Sequence, residues 1–213
     1  LAAYFFTVLA VLLLHVLVVY NLLLKGFTGL SPRIFMAKMR PVWAFAFSTA
    51  SSGATLPVTL HTTEHRLGVH NSVASFAIPL GATVNMDGTA IMQGVATVFI
   101  AQVYGVDLSM TAYVTIIITA TLASIGTAAV PGAGLITLAM VLAQVGLPVE
   151  GIALIIGVDR LLDMVRTAVN VTGDVVVSVI VAQSEKQLDE EVFHDPRAGQ
   201  DGVSVAAVLP PTA

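Results

Sequence analysis

Cysteine is absent from this sequence of 213 residues, and charged residues make up only 10% of it. Without cysteine there are no disulfide bonds and no metal sites built from thiolates. Soluble domains carry about 25% charged residues, so the scarcity of charge argues against a soluble protein. The formal net charge of −4 points to no nucleic-acid partner.

Hydrophobic residues make up 56% of the sequence, and the mean hydropathy is +0.91. This composition predicts a multi-pass protein of a cell membrane, either a plasma membrane or an inner membrane. The length accommodates about four to six membrane elements of about 20 residues each. Because the chain starts without methionine and inside an apolar run, we expect it to be a fragment whose N-terminal part is missing.

Positive charges lie on both sides of residues 41–66. They are Lys25, Arg33, Lys38 and Arg40 before this stretch and Arg66 at its end. Since basic residues collect in cytoplasmic loops, both ends of the stretch are expected on the cytoplasmic side. The stretch is then a re-entrant hairpin, with the helix-breaking sequence SSGATLP (51–57) at its tip. No lysine or arginine occurs between 67 and 159, so the connections there are expected to be extracellular.

Helix-breaking residues occur in three apolar stretches, at SSGATLP (51–57), NMDGT (85–89) and SIGTAAVPGAG (124–134). They predict an all-α membrane protein with an inverted repeat of two re-entrant helical hairpins and two broken or polar transmembrane helices, preceded by one transmembrane helix. The expected elements are a transmembrane helix at 1–24, a hairpin at 41–66, a transmembrane helix at 71–104 broken at NMDGT, a second hairpin at 111–146, a transmembrane helix at 151–183, and a polar, disordered tail at 184–213. The alternative is that SSGATLP (51–57) and VPGAG (130–134) are surface turns between four full transmembrane spans.

Polar residues form a stripe along the last predicted helix. They are Asp159, Asp163, Arg166, Thr167, Asn170 and Asp174. At 3.6 residues per turn all of them fall within an arc of about 100°. Ionisable residues in a membrane helix cost about 2.5–3.5 kcal/mol each and face a cavity or a partner, so the stripe indicates a binding site. The alternative is an internal ion pair between Asp163 and Arg166 that stabilises helix packing.

The motif NMDGT (85–89) interrupts an apolar span with two oxygen-bearing side chains, Asn85 and Asp87. Backbone carbonyls near the break, such as those of Gly81 and Thr83, add further oxygen ligands. An oxygen-only set without cysteine suits a hard cation. Taken alone the motif is a common turn, but inside an apolar span and opposite Asp174 it favours a cation site.

Four segments, SSGATLPVT, PLGATVNMDGTA, ASIGTAAVPGAG and LLDMVRTAVNVTGD, together resemble the dicarboxylate/amino acid:cation symporter family, which includes the excitatory amino acid transporters and an archaeal sodium–aspartate transporter. The resemblance covers about residues 1–185. It implies sodium-coupled symport of an acidic amino acid by an elevator movement, with the second hairpin as the gate and a full-length homotrimer in the lipid bilayer. Symport of a dicarboxylate or a neutral amino acid remains an alternative, as do an ion channel and an intramembrane protease.

The resemblance also assigns residues to sites. Ser51, Ser52 and Asn170 would bind the substrate α-carboxylate, Asp163 the α-amino group, and Arg166 the side-chain carboxylate. The whole expected substrate set is Ser51, Ser52, Thr89, Val130, Gly134, Asp163, Arg166, Thr167 and Asn170. Three sodium sites are implied: Asp174 with Gly81, Asn85 and Asn170; Thr83 with Ser124, Ile125 and Thr127; and Asn85 with Asp87, completed by a helix outside this chain.

Four positions depart from the family pattern. Ala50 and Met164 stand where members that transport acidic amino acids have a second arginine, which leaves the preference for an acidic substrate less certain. Ala129 replaces a glycine that is frequent in the gate. Gln93 stands where animal glutamate transporters have a glutamate that carries a proton, and glutamine does not titrate. The resemblance therefore implies coupling to sodium without a proton.

Overall fold

The computed structural model describes residues 1–200, and within them the chain is helical, with a single isolated β-bridge between Val69 and Leu188. The expectation of an all-α protein is confirmed. Two helices, Ala2–Thr28 and Ile156–Ser184, are long and apolar enough to cross a membrane. The shorter helices Met110–Ser124 and Ala133–Gln144 are also apolar.

The first long helix joins α1 (Ala2–Leu14), a π-helical turn (His15–Tyr20) and α2 (Asn21–Thr28). Its 27 residues give a length of about 40 Å, enough to cross a bilayer. The helix ends at Thr28, and Gly29, which follows it, has a φ of 73°. The transmembrane helix was expected at 1–24, and this helix ends four residues beyond that boundary.

The next two helices are α3 (Pro32–Thr49) and α4 (Ser52–His61), which is continued by a π-helical turn at Thr62–Arg66. The helix α3 starts at Pro32, nine residues before the boundary of 41 expected for the hairpin, because Pro32 occupies the first helical turn and the basic residues after it are helical. The chain leaves the helix only at Ala50, which is left-handed with a φ of 50°, and at Ser51, which is extended.

The segment SSGATLP was expected to be an irregular tip, but its residues from Ser52 onward are helical. Ser51 caps this helix, since its Oγ accepts a hydrogen bond from the amide of Ala54 at 3.1 Å. The hydroxyls of Thr55 and Thr59 donate to the carbonyls four residues earlier, at 2.7 and 3.1 Å. Threonine hydroxyls bonded in this way are satisfied inside a buried helix, so their number does not mark a break.

The middle span consists of α5 (Asn71–Val84) and α6 (Asp87–Val103). The break predicted at NMDGT is present, and it is confined to Asn85 and Met86. The following pair is α7 (Met110–Ser124) and α8 (Ala133–Gln144). Between them the residues 125–132 are not helical, and Gly126 and Gly132 have φ values of 127° and 77°.

The last long helix, α9 (Ile156–Ser184), follows a 3₁₀ turn at Val149–Leu154 and lies in the middle of the fold. It packs against α1 to α6. Trp43 of α3 donates its indole N–H to the hydroxyl of Thr172 at 2.8 Å, which ties α3 to the centre of α9. The polar stripe of α9 therefore lies on a helix that is surrounded by α1 to α6.

The expectation of a disordered tail at 184–213 is wrong for the part that the structure describes. Residues Glu190–His194 form a short helix, α10, and Phe193 is fully buried. The amide of Asp189 donates to the carbonyl of Gly68 at 2.8 Å, and the amide of His70 donates to the carbonyl of Gln187 at 2.9 Å. The single aromatic side chain in this polar stretch anchors it. Residues 201–213 lie outside the described part.

Candidate functional site

Three helix breaks meet beside the middle of α9 and enclose a cavity of about 20 Å³. The breaks are those between α3 and α4, between α5 and α6, and between α7 and α8. Eight of the nine residues expected to bind substrate line this cavity, namely Ser52, Thr89, Val130, Gly134, Asp163, Arg166, Thr167 and Asn170. Ala50, Met86, Thr127, Ala128 and Ala129 complete the lining.

Arg166 is the charged group at the centre of the site, and only 2% of its surface is exposed. Its Nη2 donates to Asp163 Oδ1 at 2.6 Å, and its Nη1 donates to Asp159 Oδ1 at 3.2 Å. The ion pair that the sequence offered as an alternative to a binding role is thus present. Asp159 was placed on the polar stripe but not in the expected site, and it proves to be the second partner of the guanidinium.

The break between α3 and α4 and the break between α7 and α8 are joined through one carbonyl. Ala129 O accepts hydrogen bonds from Ser51 Oγ at 2.7 Å and from the amide of Gly53 at 3.0 Å. Ser51 therefore contacts the opposite break instead of lining the cavity. The amide of Gly132 donates to Asp163 Oδ2 at 2.9 Å, so the same break also touches the ion-pair cluster.

Asn170 connects α9 to the start of α6. Its Oδ1 accepts from the amide of Gly88 at 2.8 Å, and its Nδ2 donates to Thr89 Oγ1 at 3.3 Å. A Cβ on Gly88 would lie 2.9 Å from Asn170 Oδ1, so glycine is needed for this close approach. The amide of Asn170 is in this way held at the edge of the cavity.

Asp174 lies two helical turns from Arg166 and is 2% exposed. Within residues 1–200, its carboxylate accepts one side-chain hydrogen bond, from Asn85 Nδ2 at 3.0 Å, and forms no salt bridge. Gly81 is in close contact, since a Cβ there would lie 2.7 Å from Asp174 Oδ1. The structure therefore brings together Gly81, Asn85 and Asp174, three members of the first expected sodium set, at a buried carboxylate with few partners.

The second expected sodium set lies where α7 ends. The amide of Gly126 donates to the carbonyl of Thr83 at 3.1 Å, and the amide of Thr127 donates to the carbonyl of Ser124 at 3.2 Å. The break after α7 therefore touches the end of α5. Thr127 also lines the cavity of about 20 Å³, whereas the side chain of Ile125 is exposed.

Asp87, expected in the third sodium set, has partners on the first helix. Its Oδ2 accepts a hydrogen bond from Tyr20 at 3.0 Å and lies 3.1 Å from His15 Nε2. Sequence reasoning missed both residues because it placed the remaining ligands outside this chain. The polar His15 and Tyr20 in an otherwise apolar span were the available signal.

Gln93 is buried on α6, where its Nε2 donates to Thr137 Oγ1 at 2.7 Å and to the carbonyl of Gly134 at 3.3 Å. These bonds hold α8 against α6 beside the cavity. A glutamine side chain has no ionisable proton, so the connection does not depend on a titrating group.

The sequence profile of the sodium:dicarboxylate symporter family matches residues 1–184. The chain belongs to this family. Among curated proteins, an excitatory amino acid transporter of Caenorhabditis elegans is 49% identical to this chain over 87% of its length. Excitatory amino acid transporter 3 of Mus musculus is 48% identical over 89% of the chain, and excitatory amino acid transporter 2 of Homo sapiens is 45% identical over 94%.

The chain spans 37%, 36% and 35% of the lengths of these three relatives, respectively. Membership of the sodium:dicarboxylate symporter family confirms the resemblance on which the site assignments were based. Together with the long apolar helices, it identifies a multi-pass membrane protein.

Proposed function

We propose that the protein containing this chain is a sodium-coupled symporter of acidic amino acids such as aspartate and glutamate. The observation that carries the proposal is the position of Arg166, buried in a cavity enclosed by three helix breaks and balanced by two carboxylates. Relatives named as excitatory amino acid transporters support the same substrate class. The protein is a transporter on this account, not an enzyme.

The ion pair between Arg166 and Asp163 is consistent with binding of an amino acid that carries a second carboxylate. Such a ligand brings one cation and two anions. Its α-amino group replaces Arg166 as the partner of Asp163, and its side-chain carboxylate replaces Asp163 as the partner of Arg166. A planar guanidinium binds a carboxylate through two parallel hydrogen bonds, which suits this exchange.

The remaining residues of the expected substrate set would bind the α-carboxylate or enclose the ligand. Ser52 and Asn170 would bind the α-carboxylate, and Ser51 would join them when it releases the carbonyl of Ala129. Thr89, Val130, Gly134 and Thr167 would enclose the ligand. A cavity of this type needs about 10–15 Å³ to hold one water, so the present 20 Å³ must widen to admit an amino acid.

Sodium is the proposed coupling ion, and the buried carboxylate of Asp174 supports it. A buried carboxylate without a cation is costly, and oxygen ligands suit a hard cation. Gly81, Asn85 and Asn170 would complete the first site. Thr83, Ser124, Ile125 and Thr127 would form the second, and Asn85 with Asp87 would contribute to the third.

We also propose that α3 with α4 and α7 with α8 are re-entrant hairpins of an inverted repeat, working by an elevator movement in a homotrimer. Each pair is joined by a break that reaches the cavity, as expected for hairpins that enter from opposite sides. At 18 residues, α3 measures about 27 Å, so its length alone does not exclude a full span.

The test is aspartate binding by the full-length protein carrying Arg166→Cys. We expect the affinity to fall by at least about 30-fold, because a buried charge pair with the ligand is lost. Val177→Cys is the matched control, since Val177 is on the exposed face of the same helix. Isothermal titration with sodium present measures both. Unchanged affinity in Arg166→Cys would show that the arginine serves helix packing alone.

A further inference from the structure

A second cavity, of about 520 Å³, lies beside the first half of α3 and shares no lining residue with the candidate substrate cavity. Its lining includes three apolar residues of α3, Ile34, Ala37 and Pro41, together with Pro196 and Gln200. The lining also includes four basic residues, Lys38, Arg40, Arg66 and His194. Neither the symport reaction nor the sodium sites use these residues.

Lys38 is a fixed cation in this cavity, with 3% of its surface exposed. Its Nζ donates to the carbonyl of Arg66 at 2.6 Å and to the carbonyl of Val192 at 2.8 Å. An ammonium group has three N–H donors, so one donor remains for a further acceptor. No carboxylate of residues 1–200 lies within 4.0 Å of Lys38 Nζ.

Arg66 places a second cation next to Lys38, since its Nη1 donates to the carbonyl of Lys38 at 3.3 Å. Its Nε is buried and has no hydrogen-bond partner within the described part of the chain. Arg40 is exposed at the rim and also lines an adjoining cavity with Arg33. Neighbouring cations repel one another, and an anion bound between them removes this cost.

The cavity also lies close to the end of a helix that is long enough to span the membrane. That helix ends at Thr28, and α3 begins at Pro32, four residues later. The first turns of α3 are therefore near the depth of the lipid headgroups. Basic pockets between helices at this depth bind anionic headgroups.

We propose that this cavity binds a phosphate group, supplied by an anionic phospholipid or by free phosphate. The guanidinium groups of Arg40 and Arg66 and the remaining donor of Lys38 contact the phosphate oxygens. The apolar lining residues Ile34, Ala37 and Pro41 offer contacts to the glycerol and acyl chains of a phospholipid, which favours the lipid as the source.

The test uses the purified full-length protein in detergent, titrated separately with short-chain phosphatidylglycerol, short-chain phosphatidylcholine and inorganic phosphate. We expect saturable binding of phosphatidylglycerol and none of phosphatidylcholine. The double variant Arg40→Gln, Arg66→Gln should bind at least about tenfold more weakly, as expected for lost charge-assisted hydrogen bonds. The matched control Lys25→Gln, Lys186→Gln removes two positive charges outside the cavity and should change affinity by less than about twofold.

The single variant Arg40→Gln is the control for misfolding, because Arg40 is exposed and its replacement should leave the thermal stability unchanged. This variant should also bind phosphatidylglycerol more weakly. Displacement of phosphatidylglycerol by millimolar inorganic phosphate would identify free phosphate as a ligand, whereas binding that resists phosphate would identify the lipid. Equal binding of the two lipids without any binding of phosphate would overturn the proposal. An equal loss of affinity in the control double variant would do the same.

Discussion

Arg166 is held between Asp163 and Asp159, and all three side chains are buried. This cluster of three residues carries one positive and two negative charges. An anion that lacks an amino group would meet Asp163 without offering it a cation, and like charges in a buried site repel strongly. An amino acid satisfies Asp163 and Arg166 together. On the proposed function, the full-length protein is therefore expected to bind aspartate more tightly than succinate.

Replacing Asp163 with serine should reverse or flatten this preference. Aspartate affinity is expected to fall by at least about tenfold, since the α-amino group loses a charged partner in a desolvated site. Succinate affinity should not fall, because the repelling carboxylate is gone. Titration calorimetry of the full-length protein with both ligands measures the ratio, with Asp107→Ser in an exposed loop as the control. Tighter binding of succinate than of aspartate by the unchanged protein would favour the dicarboxylate reading.

Hydrogen bonds to the carbonyl of Ala129 connect the break after α3 to the break after α7. The two breaks close the cavity while Ser51 and Gly53 donate to this carbonyl. Because the cavity holds about one water in this arrangement, the breaks must separate before an amino acid enters. Movement of the helix pairs at their breaks is therefore part of the proposed transport.

A disulfide between the two breaks should stop that movement. A Cβ added at Gly53 would lie 3.6 Å from Ala129 Cβ, which is within the range that a disulfide requires. The double variant Gly53→Cys, Ala129→Cys should crosslink under mild oxidation and lose aspartate uptake, and a reductant should restore it. Each single cysteine variant is a control. Full uptake by crosslinked protein would show that these breaks do not open.

The sequence located some of these elements well and others poorly, for physical reasons. The polar stripe of α9 follows the helical repeat, so its shared face was predictable without coordinates. The start of α3 was misplaced because Arg33, Lys38 and Arg40 suggest a loop, although the carbonyls of Arg66 and Val192 solvate Lys38 inside the fold. The bond from Ser51 to Ala129 joins residues 78 positions apart through a backbone atom, and no residue pattern encodes it.

The helix α9 carries both the ion-pair cluster and Asp174, with Asn170 between them. A cation at Asp174 would contact groups that also position the substrate site. Binding of sodium and of aspartate should therefore be linked, and each should raise the affinity of the other by the same factor. Gln93 offers no proton site beside the cavity, so protons are not expected to replace sodium.

The most direct test is aspartate uptake into liposomes that contain the full-length protein, with a gradient of one cation imposed at a time. An inward sodium gradient alone should drive accumulation, and a proton gradient alone should not. Asp174→Asn should weaken the dependence on sodium, because the buried charge of the proposed first sodium site is removed, whereas Asp107→Asn should leave it intact. Accumulation driven by protons without sodium, or full sodium dependence in Asp174→Asn, would contradict this account of coupling.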